Sequence, residues 1–379
     1  MTWKIFKKDK NAVKTKKGPV REWADAILFA VIAATLIRTL FIEAYVIPSG
    51  SMEGSLLIGD YLFVSKVNYG ARMPITPIGI PFTAHTIPYT DTKSYVDVQL
   101  PYYRLPGFSD IKKGDIVVFN LPTEADSPLY RPVDRRENII KRCQGTAGDT
   151  LSLVNALVYV NGKPRPPVSE GKMAYVIKTD GSGINPNLVN ELHIDDFGAV
   201  DNATFTGNAT LESIKQLKTY SNIKSITPNI AIKGFVDDRS GPVYPLSHPD
   251  YKIGEMPRYN WNVDNFGPVI IPKKGWTVKL DSLTFPIYGR AIAVYEHNTV
   301  KVNGKDIFIN GKKADTYTFK MNYYWMMGDN RHNSTDSRYW GFLPEDHVVG
   351  KALFTWMSID STASFANKIR WSRLFRGIK

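Results

Sequence analysis

Apolar residues run almost unbroken from Trp23 to Ile42, with Asp25 near the start, Arg38 near the end and Glu43 closing the run. About 20 mostly apolar residues cross a bilayer as a helix, so the pattern predicts a single membrane span over residues 23–43. Arg38 is costly in that position unless it snorkels to the interface or meets Glu43. After Ile47 the texture changes. Short apolar runs such as Tyr61-Leu62-Phe63-Val64 and Asp115-Ile116-Val117-Val118-Phe119 alternate with Gly, Pro and Asp, the pattern of strands joined by turns. No long helical period returns before the C-terminus, so the body is expected to be mainly β and antiparallel.

Two further patterns suggest how the body is divided. Val158-Tyr159-Val160-Asn161-Gly162-Lys163 recurs as Ile307-Phe308-Ile309-Asn310-Gly311-Lys312. Alternating apolar residues before Asn-Gly signal a hairpin, because both turn residues tolerate positive φ; two hairpins sharing a common turn dipeptide would read the same way. The copies flank a stretch rich in Asn, Pro, Asp and Ser, which reads as an inserted β-rich or α+β subdomain. At the far end Ile369, Trp371, Leu374, Phe375 and Ile378 are interleaved with basic residues, which suits an amphipathic helix in a membrane interface or a tail docked on the body. The expected organisation is a basic tail (1–22), the span (23–43), a first catalytic part (44–164), the insertion (165–300), a second catalytic part (301–352) and a basic amphipathic tail (353–379).

Charge changes the picture once it is located. The formal net charge is +12, but residues 1–22 carry +6 and residues 368–379 carry +5, leaving +1 for everything between. A nucleic-acid groove would place its charge on the folded body, so no nucleic-acid partner is expected. Basic ends beside apolar segments suit anionic lipid instead. The eight Lys/Arg before the span predict that it enters with its N-terminus cytoplasmic and the body outside. A cleaved signal peptide would call for a shorter basic region and a small-x-small site after the apolar run, and no such site is evident. A single cysteine, Cys143, excludes an internal disulfide framework.

Three segments carry candidate chemistry. Pro48-Ser49-Gly50-Ser51-Met52-Glu53-Gly54-Ser55 follows the span within a few residues, so a nucleophile there would act at a bilayer surface. Asn138-Ile139-Ile140-Lys141-Arg142-Cys143 reads as a strand holding a lysine; burial disfavours the ammonium form and makes a lysine a usable base near neutral pH. Met327-Gly328-Asp329-Asn330-Arg331-His332-Asn333-Ser334-Thr335-Asp336-Ser337-Arg338-Tyr339-Trp340-Gly341 is a polar run able to brace a site through charge-assisted hydrogen bonds. HExxH, CxxC, Walker A and GxSxG patterns are missing from the sequence, and its six scattered histidines supply no recognisable Ser–His–Asp set.

In this order, after an N-terminal anchor, the three segments resemble the boxes of bacterial type I signal peptidases, over residues 23–163 and 300–350. The resemblance implies that family's antiparallel β architecture and a serine endopeptidase that removes N-terminal signal peptides after small residues in an Ala-x-Ala-like pattern. By position it implies Ser51 as nucleophile, Lys141 as general base, Ser49 with the Ser51 N–H as oxyanion hole, Ser334 orienting the lysine, and Asp336 and Arg338 bracing the site. Met52 and Ile140, beside nucleophile and base, are the candidate substrate-contacting residues. Neither a cofactor nor a metal is expected. The implied partners are signal-peptide-bearing preproteins and the lipid bilayer, with the export translocon a further candidate, and the implied location is the bacterial inner membrane, single-pass, catalytic domain on the periplasmic face. The chain departs from the family at Gly54-Ser55, where Pro-Thr is common, at His332, where Asp is common, and in the 186 residues between Lys141 and Gly328. Two other readings compete: a catalytically silent membrane-tethered binding or assembly protein on the same fold, and a self-cleaving Ser–Lys regulator, whose DNA-binding module would stand where the anchor does.

Overall fold

A computed structural model describes residues 18–236, 241–248, 250–255, 257, 259–364 and 367–378; most of the expected basic tail 1–22 lies outside them. Pro19–Leu40 forms helix α1, opened by Pro19 at its first position, where the missing N–H is no loss. It is long and apolar enough to cross a membrane, and none of its residues is buried by the protein. The helix starts earlier and stops sooner than the 23–43 expected. Glu43 belongs to the following strand, where its carboxylate meets Arg38 Nε at 2.6 Å and Lys66 Nζ at 2.8 Å. That shared carboxylate ends the apolar run and fixes how the helix joins the body.

The body is mainly β, and its central sheet is antiparallel throughout. From β1 (Ile42–Val46) the order runs through β2 (Asp60–Ser65), the long strand Val348–Ser358, β3 (Ile116–Asn120), β4 (Asn138–Gly145), Tyr323–Met327 and Leu343–Pro344. Alternation sends side chains into different layers. Leu62, Val64, Ile116 and Val118 pack with Ile47, Met52 and Leu56, while Val117 and Phe119 pack with Cys143, Met326 and Trp340. On the other face of β2, Tyr61 and Phe63 form a half-exposed aromatic cluster with Phe354 and Trp356, extended by Phe375.

The expected insertion 165–300 is not one unit. Strands Ile223–Pro228, Lys172–Thr179, Thr204–Thr210 and Asp195–Ala199 form a separate sheet, backed by helices Pro186–Glu191 and Leu211–Leu217 around a core of its own. Val243, Tyr244, Phe266, Phe285 and Ile292 belong instead to a second core, with Leu151, Val160, Ile307 and Trp325. The repeated Asn-Gly hexapeptide is a structural repeat. In both copies Asn and Gly have positive φ. Asn161 Oδ1 accepts from Thr150 N at 2.8 Å, as Asn310 Oδ1 does from Thr299 N at 3.0 Å.

Among its described residues the C-terminal tail forms no α-helix, only short 3-10 turns such as Trp371–Arg373. Arg376–Gly377 pairs with Phe354–Thr355, and Arg373 grips Asp60, with Nε to Oδ1 at 2.9 Å. A buried bidentate ion pair and strand pairing outweigh the helical period of five apolar residues. Removing one partner of a buried pair strands the other charge. Arg373→Met is therefore expected to destabilise the fold by about 3–5 kcal/mol, measured as a lower urea midpoint for the body.

Candidate active site

Ser51 sits in the single 3-10 turn Gly50–Met52, which follows β1 after Ile47 and Pro48. Met52 is fully buried beneath it, packed with Leu56, Leu62 and Val118, and so fixes the turn to the sheet. Lys141 lies on β4, opposite Val117 of β3, and is 5 % exposed. Its Nζ is 2.5 Å from Ser51 Oγ. Burial pulls the Lys141 amine down to about 8, although the carboxylates of Asp336 and Asp329 push it back up. A lysine in this state is a base poised close to neutral pH.

The third segment holds both groups. Asn330 donates to the turn twice, from N to Ser51 O at 3.1 Å and from Nδ2 to Gly50 O at 3.3 Å. Gly328 lies so close that a Cβ there would come within 2.3 Å of Ser334 Oγ and 2.5 Å of Ser51 O. Asp336 is fully buried: it accepts from Gly328 N at 3.0 Å, from Ser334 Oγ at 2.9 Å and from Arg338 Nε at 2.9 Å. Burial raises its pKa, but Arg338 and the Gly328 N–H outweigh that and keep it ionised. Ser334, expected to hold Lys141, donates to Asp336 instead; among the described residues no hydrogen bond joins it to the lysine.

Ser49 caps the start of the turn in an extended conformation, its hydroxyl exposed and making no capping bond. It shares with Ser51 and Lys141 a cavity of about 90 Å³ whose walls include Tyr45, Ile47, Val118 and Ile140. Met52, expected to contact substrate, lies under this cavity in the core and takes no part in its lining.

Sequence reasoning missed a second brace. Arg142, next to Lys141, donates to both carboxylate oxygens of Asp329, and Ser55 Oγ meets Asp329 Oδ2 at 2.5 Å. The departures at Gly54-Ser55 and His332 gain a reason here. Gly54 has φ +100°, which proline's ring forbids, and a Cβ on it would strike the backbone carbonyl of Glu170. The separate subdomain thus docks against the turn that carries Ser51. It is fastened there by Lys172, which bonds Asp195 and reaches Glu53 at 3.4 Å, and by Lys172 N to Asp329 O at 3.0 Å. Burial and the Asp195 carboxylate push Glu53 up to about 7. His332 joins Ala174 N of the subdomain to Asp264 Oδ1. His347 is buried between Asp346 and Arg136; both histidines have partners other than Ser51.

The profile of peptidase S26, described as signal peptidase, matches residues 20–223 and 312–357, and so takes in part of the subdomain as well. A signal peptidase I of Buchnera aphidicola subsp. Baizongia pistaciae is 27% identical over 361 residues, 94% of this chain and 80% of that protein. One from Haemophilus influenzae is 24% identical over 389 residues, covering 97% and 79%. One from Rickettsia canadensis is 29% identical over 150 residues, covering 39% and 46%.

Two outcomes follow from the geometry. Because the amine must be neutral to accept a proton, acylation of Ser51 by a serine-directed reagent should rise with pH, with a midpoint about 8 set by Lys141; a flat profile from pH 6 to 10 excludes Lys141 as the base. Gly328→Ala displaces Ser334 or the Ser51 carbonyl, and should slow acylation on the order of a hundredfold while leaving the circular dichroism of the body unchanged.

Proposed function

The chain belongs to the peptidase S26 family of signal peptidases, and we propose that Ser51 and Lys141 form the dyad with which it cleaves signal peptides as a serine endopeptidase. The 2.5 Å approach of Lys141 Nζ to Ser51 Oγ inside a desolvated site carries this reading. Neutral Lys141 takes the Ser51 proton as Oγ attacks the carbonyl of the last signal-peptide residue. The C–N bond breaks, the leaving amine takes the proton from Lys141, and the signal peptide remains as an ester on Ser51. Water, deprotonated by the same amine, hydrolyses that ester and restores the hydroxyl. Ser49 Oγ and the Ser51 N–H are the oxyanion donors in this scheme, each able to contribute about 3–4 kcal/mol.

Specificity follows from the cavity. With walls of Tyr45, Val118 and Ile140 it is a cavity of about 90 Å³ that has room for a compact apolar side chain beside the scissile carbonyl. This supports cleavage after small residues in an Ala-x-Ala-like pattern, with the substrate extended and bound through its main chain. The membrane side is supported independently. Only ten residues separate the end of α1 from Ser51, and Phe41 and the aromatic side chains Trp371 and Phe375 are exposed on the body. Enrichment of basic residues before α1 favours a single-pass protein with its body on the periplasmic face of the bacterial inner membrane, where exported preproteins, lipid and the export translocon are its partners.

Ser51→Ala and Lys141→Met should each abolish processing of a preprotein by membranes carrying the enzyme, with the fold retained. Ser49→Ala should lower kcat by about a hundredfold or more with little change in KM. Substantial cleavage by either dyad variant overturns the assignment, and the silent-scaffold alternative then becomes the better reading.

A further inference from the structure

A charged recess outside the catalytic cavity lies where α1 joins the body. It is a cavity of about 250 Å³ between the last turns of α1, represented by Thr35, Arg38 and Thr39, and a ribbon that includes Pro74, Ile80 and Phe82. Four cations line it, Arg38, Lys66, Arg72 and Arg135, against two carboxylates, Glu43 and Asp134. Their internal pairing leaves an excess of two positive charges. Glu43 is shared by Arg38 and Lys66. Asp134 is taken up by Thr76, accepting from its backbone N at 2.7 Å and from its hydroxyl. Arg72 donates to Asp346 O and Asn120 Oδ1. Arg135 donates to Thr76 O and Ala84 O, yet its Nε–H is buried with no hydrogen-bond partner among the described residues.

The surroundings say what would fill such a recess. The Arg135 guanidinium also stands over the Tyr95 ring, 5.2 Å from its centre, but no carboxylate among the described residues offsets the surplus positive charge of the lining, and an oxyanion that accepts from several guanidinium N–H groups at once would do so. The recess opens beside a helix that places no residue in the protein's core. Its rim is apolar: Ile78, Ile80 and Phe82 are all about half exposed, and the Arg38 guanidinium lies 5.6 Å from the Phe82 ring centre. Positive walls below and apolar side chains at the lip match an amphiphile with a phosphate head and acyl tails. We propose that this recess binds the phosphodiester headgroup of an anionic phospholipid, with its acyl chains lying along α1 and across Ile80 and Phe82. The proposal rests on α1 being the membrane anchor, and is independent of the cleavage chemistry.

The test is native mass spectrometry of the full-length protein in detergent. Phosphatidylglycerol and phosphatidylcholine with the same acyl chains are added separately, and the mass of bound lipid is the readout, so failure of the peptidase assignment does not affect it. Phosphatidylglycerol should bind about tenfold tighter, as expected for two excess charges. Arg135→Gln should largely remove that preference. Glu43→Gln, which removes a competing carboxylate, should increase it; a misfolded variant cannot account for changes of opposite sign. Arg376→Gln, remote from the recess and paired with Glu170, should leave it unchanged. Equal binding of the two lipids, weakening by Glu43→Gln, or loss of the preference in Arg376→Gln overturns the proposal. Displacement of phosphatidylglycerol by inorganic phosphate, at an ionic strength where chloride does not displace it, makes the recess a free-anion site and overturns the lipid assignment.

Discussion

The amine of Lys141 is held out of water against Ser51, and the residues around it are arranged so that it can stay neutral there. Two carboxylates, Asp329 and Asp336, lie close enough to raise its pKa. Left unpaired, either would favour the ammonium ion and disarm the base. Each is instead locked to its own guanidinium, Asp329 to Arg142 and Asp336 to Arg338, so that the lysine faces neutral pairs rather than bare negative charge. The amine falls from its ordinary 10.5 to about 8, a difference of roughly 3 kcal/mol at about 1.4 kcal/mol per unit. The sign of the linkage follows. The folded lysine loses its proton more readily than the unfolded one, so its burial weighs fully against the fold below pH 8 and is relieved as pH rises toward 10.5. The site accepts a loss of stability at neutral pH in return for a usable base.

The same two ion pairs organise the rest. Asp336 fixes Gly328 and Ser334, and Asp329 ties Ser55 and Arg142 into one cluster. Through Lys172 N the Asp329 carbonyl also accepts the first strand of the separate subdomain. That subdomain therefore rests on the catalytic machinery, touching it at Gly54, Asp329 and His332. Its core is self-contained, but its footing is the segment that grips the Ser51 turn.

How much of this was legible in the sequence depends on how local the cause is. The existence of the helix, the β texture and the Asn-Gly turns follows from periodicity and turn chemistry among neighbouring residues, although the helix ends are displaced from 23–43 to Pro19–Leu40. Ser51 and Lys141 are 90 positions apart, and neither periodicity nor propensity brings them together; the resemblance to a family linked them. Ser334 was expected to orient the lysine; its hydrogen bond in the structure goes to Asp336, a pairing that packing sets and residue order does not show. The end of α1 was overrun because Arg38, Glu43 and Lys66 neutralise one another through space. The C-terminal helix was expected from spacing that strand pairing and the Arg373–Asp60 contact override. The insertion was bounded by two similar hairpins, which turned out to be repeats within one core. Composition could not divide the stretch between them, since 172–228 and 241–300 differ in what they pack against rather than in what they contain.

Placement relative to the bilayer then does work that contacts alone cannot. Glu43 holds Arg38 on one side and Lys66 on the other, so the direction in which α1 leaves the body is set within a few residues of β1. β1 runs into Pro48 and the turn that carries Ser51, and Met52 pins that turn into the core. Between α1 and Ser51 there is thus no long linker, only a strand and a turn anchored by the buried Met52. The cavity of about 90 Å³ beside Ser51 and Lys141 therefore stands at a nearly fixed distance from the end of α1, and the Glu43 carboxylate, which joins the helix to the sheet, sets that distance.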